Sequence, residues 1–544
     1  VVAHLLFAGV LAGAVAVRVV SLRGYPSMLW GGDSHGYLDA AVKFRPHVGR
    51  PSGYSVFLWG LGPFESLAVV AVVQAALGVA AGVLVYAVVW RAARAAWPRW
   101  VWVPGLIAAP ASVPVLYDGN LIQAERMLLA DSLFTFLLVA AVAVVLWSPQ
   151  LRWWTAALAG LLTSFAALTR LAGLPFIGLI LVVLLLRWSG WRRTTASVVL
   201  AGVAFAGPFF AYMAWFQEHY GTFAVSKAGS VWLYGRTAAF ADCAKIQPPP
   251  ELRVMCPEPP ADRRVAPAFD TLWGPDSPFQ DVPGGIYGEE GNAKAGEFAN
   301  LAIKKQFGDY LDVVLKDTLR AFDTGREPYP TPWTAENLRF PEGETWSDDQ
   351  ELLTARYGGG RMRVVEPQAE WTRKYQERWY TPGPALAVLL GTGLVGVLIR
   401  VRRWGGAGLL PWCVGTALIV IPAASADFDY RYVPPAIPFA CLAAALALVP
   451  GRREVQAAES ASVPDEESAA PAEGATEATD GADEEFAAPA DGTPEATEGA
   501  DEATEGASEA RADEAEEPDV TDGPQEPDAE TDEAPALDGT SKDS

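Results

Sequence analysis

The chain has 544 residues, of which 51% are apolar, with 20 Trp and a formal net charge of −23. The charge is unevenly spread: 31 of the 64 acids and two of the 41 bases lie in residues 454–544, leaving 33 acids and 39 bases in the first 453. A mildly basic, strongly apolar body with an acidic tail excludes a single compact soluble domain and gives no footing for a nucleic-acid partner.

Ten apolar runs recur in the body, each near the length of about 20 residues that spans a bilayer. They are Val1–Val17, Leu67–Trp90, Val101–Tyr117, Met127–Trp147, Trp153–Leu168, Leu171–Leu186, Thr195–Trp215, Pro384–Ile399, Leu409–Ala424 and Val433–Val449. Runs this long and continuous are helices rather than barrel strands, because a lipid-exposed backbone must satisfy its own polar groups. The first run lacks a basic flank and a cleavage site, so a retained helix is expected rather than a signal peptide. The expected fold is therefore an all-α polytopic membrane protein of about ten transmembrane helices, with an extracytoplasmic loop domain. Its acidic C-terminal tail repeats phrases such as "DGTPEATEGADEATEGASEA". The tail holds too little apolar bulk to offset the entropy of ordering, so it is expected to be disordered.

Basic residues set the orientation. Arg91, Arg94 and Arg99, then Arg152, then Arg187, Arg192 and Arg193, then Arg400, Arg402 and Arg403, then Arg452 and Arg453 all fall on one side by helix count. That side is expected to be cytoplasmic, in a plasma membrane, with the tail on the same side. The opposite side receives residues 18–66, the Asp118 region and residues 216–382. The last of these carries one helix-like stretch, Ala293–Phe322, and two cysteines, Cys243 and Cys256, around "AKIQPPPELRVM". A disulfide there suits an oxidising compartment, two free thiols being the alternative. Cys413 and Cys441 fall inside apolar runs and read as packing residues.

Four polar clusters gather on the extracytoplasmic side. The first loop contains "GGDSHGYLDAAVK", where two glycines let the chain bend tightly before Asp33. Asp33 is placed to act as a general base on a hydroxyl, or else simply to cap a short helix. His35 and Tyr37 follow it as candidate substrate contacts. The second cluster, "YDGNLIQAERMLLADSLF", brings Asp118, Glu125, Arg126 and Asp131. Asp131 lies inside an apolar run, where a carboxylate demands a partner or a cavity. Arg170, in "LTRLAG", and Arg431 and Tyr432, in "ADFDYRYVPPAIPF", complete the set. Arg offers a planar fork suited to phosphate, although snorkelling to headgroups would place it equally well.

The order of these motifs resembles the membrane-embedded GT-C glycosyltransferases: a first-loop Asp, "RPSGYSVFL", "LLADSLFTFLL", "LTR" and a late "YRYVPPAIP". The likeness is closest to the phospholipid carrier-dependent, protein-mannosyltransferase-like branch of actinobacterial type, over residues 1–235 and 382–450. It implies transfer of a sugar, with inversion, from a polyprenyl-phosphate donor to an envelope glycan, lipid or protein. Asp33 would be the general base and Arg170 and Arg431 would hold the lipid phosphate. Asp131 or Glu125 would be a second acid that orients the acceptor or a metal, and a divalent metal is left open. Ser34 follows Asp33 where an Asp-Glu pair is common in that branch, which leaves the acceptor open. The alternative class is a transporter or flippase of lipid-linked glycans, although no internal repeat of the kind transporters carry is visible. The expected units are a transmembrane catalytic module (1–215), a cap (216–382), C-terminal transmembrane helices (383–450) and the acidic tail (451–544).

Overall fold

The structure, a computed structural model, describes residues 2–147, 152–325, 328–343, 348–359 and 361–450. The acidic tail lies outside the described residues. Those described form helices, with a single bridge between Leu29 and Met127 and no strand.

The first half runs α1 (Val2–Gly24), α2 (Ser34–Lys43), α3 (Gly53–Leu61), α4 (Leu67–Ala96), α5 (Val103–Tyr117), α6 (Gly119–Arg126), α7 (Asp131–Trp147), α8 (Trp153–Thr169), α9 (Pro175–Leu186) and α10 (Trp191–Tyr220). The intervening segment forms α11 (Val231–Thr237), α12 (Cys243–Ile246), α13 (Pro267–Trp273), α14 (Glu289–Lys305), α15 (Phe307–Arg320), α16 (Pro332–Glu336), α17 (Asp348–Thr354) and α18 (Gln368–Arg378). The chain closes with α19 (Gly383–Ile399), α20 (Leu409–Ser425) and α21 (Ile437–Leu448).

All ten expected apolar runs contain a helix, which makes the chain an all-α polytopic membrane protein. Five spans, those of α1, α4, α10, α20 and α21 with its preceding turns, are long and apolar enough to cross a bilayer, or six if the bent α18–α19 pair is one span. The helices α5, α7, α8 and α9 are apolar but shorter, α9 together with the turn before it. α21 is the hub: it packs on α19, α20, α5 and α4 and is apolar on all sides, as a helix surrounded by others must be.

One end of the bundle is tied by arginines to helix-end carbonyls. Arg91 Nε donates to Trp147 O at 2.6 Å, Arg187 Nη1 to Val145 O at 2.5 Å, and Arg400 Nη2 to Val449 O at 2.9 Å. These are residues of the sequence's basic side, and their stems lie along apolar helix ends.

The expected single helix over Ala293–Phe322 is two helices, broken at Gln306. The Gln306 side chain turns inward, donating to Phe240 O at 3.2 Å and accepting the Asp242 N–H at 2.9 Å. That exchange satisfies two backbone groups of the neighbouring loop at the cost of helix continuity. Cys243 and Cys256 are disulfide-bonded, closing the Pro-rich loop below Gln306. The expected helix at Met127 starts at Asp131 instead, because Leu128 donates to Leu29 O at 2.8 Å and Leu29 to Arg126 O at 2.8 Å. This short extended pairing fixes the first loop against the mouth of α7.

Candidate active site

Asp33 stands at the start of α2 on a loop held from both sides. Ser34 Oγ accepts the Gly31 N–H at 2.8 Å and donates to Leu128 O at 2.9 Å. Gly31 lies close to the α7 mouth: a Cβ there would come 3.0 Å from both Leu129 and Met127 side-chain carbons, which would have to give by a few tenths of an ångström. Although Asp33 occupies the N-cap position, its carboxylate makes no capping bond. Asp118 provides the contrast: it caps α6 through the Asn120 and Leu121 N–H groups at 2.9 and 3.1 Å.

The Asp33 carboxylate is engaged by arginines instead. Oδ1 pairs with Arg50 and Oδ2 lies 3.1 Å from Arg431 Nη1. Arg431 turns its other edge to Asp131, with Nε and Nη2 at 2.9 and 2.7 Å from Oδ2. Arg170 pairs with the remaining oxygen, Oδ1 of Asp131. Two carboxylates and three guanidinium groups thus form one chain, Arg50–Asp33–Arg431–Asp131–Arg170, from four separate stretches of sequence around α2, α7, α8 and the turn Tyr430–Tyr432. Asp429 holds that turn by accepting the Arg431 N–H at 2.9 Å. The guanidinium groups rest on aromatic faces, Arg170 5.0 Å from the Tyr432 centroid and Arg50 5.4 Å from that of Tyr37.

Burial alone would raise the Asp33 carboxyl, but Arg431 and Arg50 outweigh it and hold the group well below the usual carboxylate range. Asp33 is therefore ionised and weakly basic in this arrangement. Burial, reinforced by Arg50, pushes His47 on the same loop down to about 4. Its Nδ1 accepts the Gly49 N–H at 3.0 Å, so the ring is neutral. Among the described residues, the buried Arg50 Nε and Ser132 Oγ have no hydrogen-bond partner in the protein.

The chain of charges is partly exposed at Asp33, Arg50 and Arg431, and cavities lie beside it. A cavity of about 350 Å³ is bordered by Asn120, Leu338, Arg339, Glu377, Tyr380 and Tyr430. Asn120, Leu338 and Tyr430 also line a smaller cavity of about 30 Å³ that ends on Asp131 and Arg431. A further small cavity, also about 30 Å³, runs from the same two residues between α4, α7 and α21, and is mostly apolar.

The structure thus brings together Asp33, Asp131, Arg170 and Arg431, with Tyr37 and Tyr432 as ring supports. His35 is exposed and makes no ion pair with them. Glu125 is drawn elsewhere: Arg18 donates to it from Nε and Nη2 at 2.8 and 2.6 Å, and both side chains are buried, Glu125 against the wall of the small apolar cavity. Arg50 is the member that the sequence reading did not single out; its place in "RPSGY", in the same loop as Asp33, was the available signal. Among the described residues, no three His, Cys, Asp or Glu side chains gather in a metal-binding group. The two carboxylates at the centre are already held by guanidinium groups, a donor set that fits a divalent cation poorly.

No family model matches the chain, and no curated protein does. Among solved structures, the oligosaccharyltransferase AglB from Archaeoglobus fulgidus, in complex with an inhibitory peptide and a dolichol-phosphate, is 15% identical with a TM-score of 0.39. The match covers 84% of this chain and 52% of that one, so the chain spans about half the length of AglB. ArnT from Cupriavidus metallidurans bound to undecaprenyl phosphate is 17% identical with a TM-score of 0.29, covering 81% of this chain and 77% of that one. Its apo form gives 17% and 0.28. Neither likeness assigns an activity to this chain.

Proposed function

We propose that the chain is a GT-C type membrane glycosyltransferase that moves a sugar from a polyprenyl-phosphate donor to a hydroxyl-bearing acceptor on the extracytoplasmic side. The observation that carries this reading is the Arg50–Asp33–Arg431–Asp131–Arg170 chain at one mouth of an apolar helix bundle. Its direct pairs set three guanidinium groups against two carboxylates, an excess of one positive charge, which matches the single negative charge of a sugar phosphodiester. The apolar helices beside it suit the donor's lipid chain.

In this reading the acceptor oxygen attacks the anomeric carbon from the face opposite the phosphate. The carbon–oxygen bond to phosphate breaks, its electron pair stays on the leaving phosphate, and the acceptor proton passes to the Asp33 carboxylate. The anomeric centre inverts. Arg170 and Arg431 stabilise the charge that grows on the leaving group, where fixed donors count most. The phosphate competes with the carboxylates for these same guanidinium groups. As Arg431 turns to the phosphate, Asp33 loses one of the two cations that depress its basicity, so donor binding itself arms the base. Asp131 keeps Arg170 and Arg431 in register between turnovers.

The test is to incubate the purified chain in lipid nanodiscs with a panel of polyprenyl-phosphate sugars and to measure release of polyprenyl phosphate. Consumption of one donor supports the reading. Translocation of a lipid-linked glycan across the bilayer without any donor being consumed would favour transport instead.

A further inference from the structure

A row of aromatic rings leads from the cap segment to the Asp33 loop. Phe269 and Trp273 stand four residues apart on α13 and therefore share a face. The other face of α13 buries Ala268, Thr271 and Leu272, and its main packing partner is α11, another cap helix, rather than a membrane helix. Trp333, at the start of α16, lies 6.3 Å from Phe269, centroid to centroid. Trp273 lies 6.4 Å from Tyr287, in the turn Gly285–Tyr287, and Tyr287 stands edge-on to His47 at 6.4 Å. His47 belongs to the loop that carries Asp33 and Arg50.

The contact between cap and loop is close. A Cβ on Gly49 would fall 2.3 Å from a Tyr287 ring carbon, so glycine is what admits the ring. Tyr287 in turn feels the charges of Arg50 and Asp33. The outer rings are open: Trp333 is 58% exposed, Phe269 52% and Trp273 42%. Single exposed rings are ordinary, but two ring pairs joined through one face of α13 and leading to a charged loop suit a binding surface. Neither the Trp273 nor the Trp333 indole N–H has a partner among the described residues, which leaves both able to donate to a ligand.

We propose that Trp333, Phe269, Trp273 and Tyr287 form an acceptor subsite that takes a saccharide chain and delivers one of its hydroxyls to Asp33, an inference that rests on the glycosyl-transfer reading above. The chemistry selects this occupant. Pyranose and furanose rings carry apolar C–H faces that lie flat on aromatic rings, and hydroxyl edges that accept from indole N–H and tyrosine O–H groups. A lipid acceptor would need an apolar crevice open to the bilayer, whereas this row rests on cap elements. A peptide laid along a sheet edge would need a strand, and none is present among the described residues. A saccharide also supplies a hydroxyl of the kind that a carboxylate base deprotonates.

The experiment uses the full chain in nanodiscs and three probes: an array of short α- and β-linked hexose and pentose oligosaccharides, undecaprenyl phosphate, and phosphatidylglycerol vesicles. The variant Phe269→Ala/Trp273→Ala/Trp333→Ala removes only exposed rings, and Trp273→Phe/Trp333→Phe keeps the stacking faces while losing the indole donors. The wild type is expected to bind at least one oligosaccharide, and the triple Ala variant to lose about tenfold or more of that affinity. The Phe variant should fall between them, and undecaprenyl phosphate should bind all three equally. The proposal is overturned if the wild type binds no oligosaccharide, if the Ala variant binds as well as wild type, or if vesicle adsorption is what the Ala variant loses. In each of those outcomes, intact binding of undecaprenyl phosphate leaves the glycosyl-transfer reading standing. Absence of undecaprenyl phosphate binding by the wild type would count against that reading instead.

Discussion

Two arginine–carboxylate groupings sit near the same mouth of the bundle, and they differ in how completely they are closed. In the Arg18–Glu125 pair the side chains are 3% and 4% exposed, Arg18 also donates to Ala14 and Leu116 carbonyls, and a Cβ on Gly78 would fall on the Glu125 carboxylate. In the Asp33–Arg50–Arg431 part of the other grouping, side-chain exposure runs from 17% to 31%, and two small cavities meet at Asp131 and Arg431. The first is the more enclosed: Arg18 is saturated by Glu125 and two carbonyls, and Glu125 meets only the wall of the small, mostly apolar cavity that also touches Asp131 and Arg431, so a structural role is expected of it. The second leaves Arg50 Nε unpartnered and holds more guanidinium groups than carboxylates in direct pairs. Charge that is paired but reachable is charge that a substrate can take over.

The comparison breaks most sharply at Asp33. Asp33→Asn should cut sugar transfer by on the order of 10² to 10⁴, the usual worth of a positioned base, and should lower the unfolding temperature less than loss of a sealed pair does, because its ion pairs are partly exposed. Glu125→Gln should do the reverse. Breaking a buried pair from one side typically costs about 3–5 kcal/mol, which thermal unfolding in detergent would register, whereas the double variant Arg18→Met/Glu125→Leu should recover most of that loss. If Glu125→Gln abolished transfer in a fully folded protein, the division between the two groupings would fail.

Smaller effects sharpen the same division. Arg170→Lys keeps the charge but loses the planar fork that meets Asp131 and phosphate together, so donor KM should rise roughly tenfold, as expected for loss of one charge-assisted hydrogen bond. Titration of the transfer rate against donor concentration reads this directly. The smallest effect is expected at His47. Its depressed pKa means that the neutral ring supports the folded loop above its usual 6.5, and that this support fades as pH falls through about 4. Hydrogen exchange over residues 31–52 should therefore show wild-type protection falling on acidification, and a weaker fall in His47→Gln.

Much of this was legible in the sequence, for physical reasons that particular residues make plain. Long apolar runs read as helices because lipid leaves the backbone no other choice; α1, α4 and α10 continue past their apolar runs, and local bonds set the boundaries at Gln306 and at Leu29–Leu128. Asp131, Arg170 and Arg431 stood out because ionised groups in or beside apolar runs need partners. Which partner each would take was not legible. Glu125 and Asp131 lie six residues apart in one cluster, yet one is sealed by Arg18 from α1 and the other joins Arg431 from the far end of the chain. Arg50 and Tyr287 were missed because nothing local marks a loop arginine or a cap tyrosine; only the approach of distant segments brings them to Asp33.

The central claim is that Asp33 and a lipid phosphate compete for the same guanidinium groups. Calorimetric titration of undecaprenyl phosphate into wild-type and Asp33→Asn protein tests it most directly. Removing the carboxylate's charge frees Arg431 and Arg50, so the variant that loses transfer should bind the lipid phosphate more tightly, by roughly tenfold for one charge-assisted bond released. Equal or weaker binding by Asp33→Asn would contradict the account.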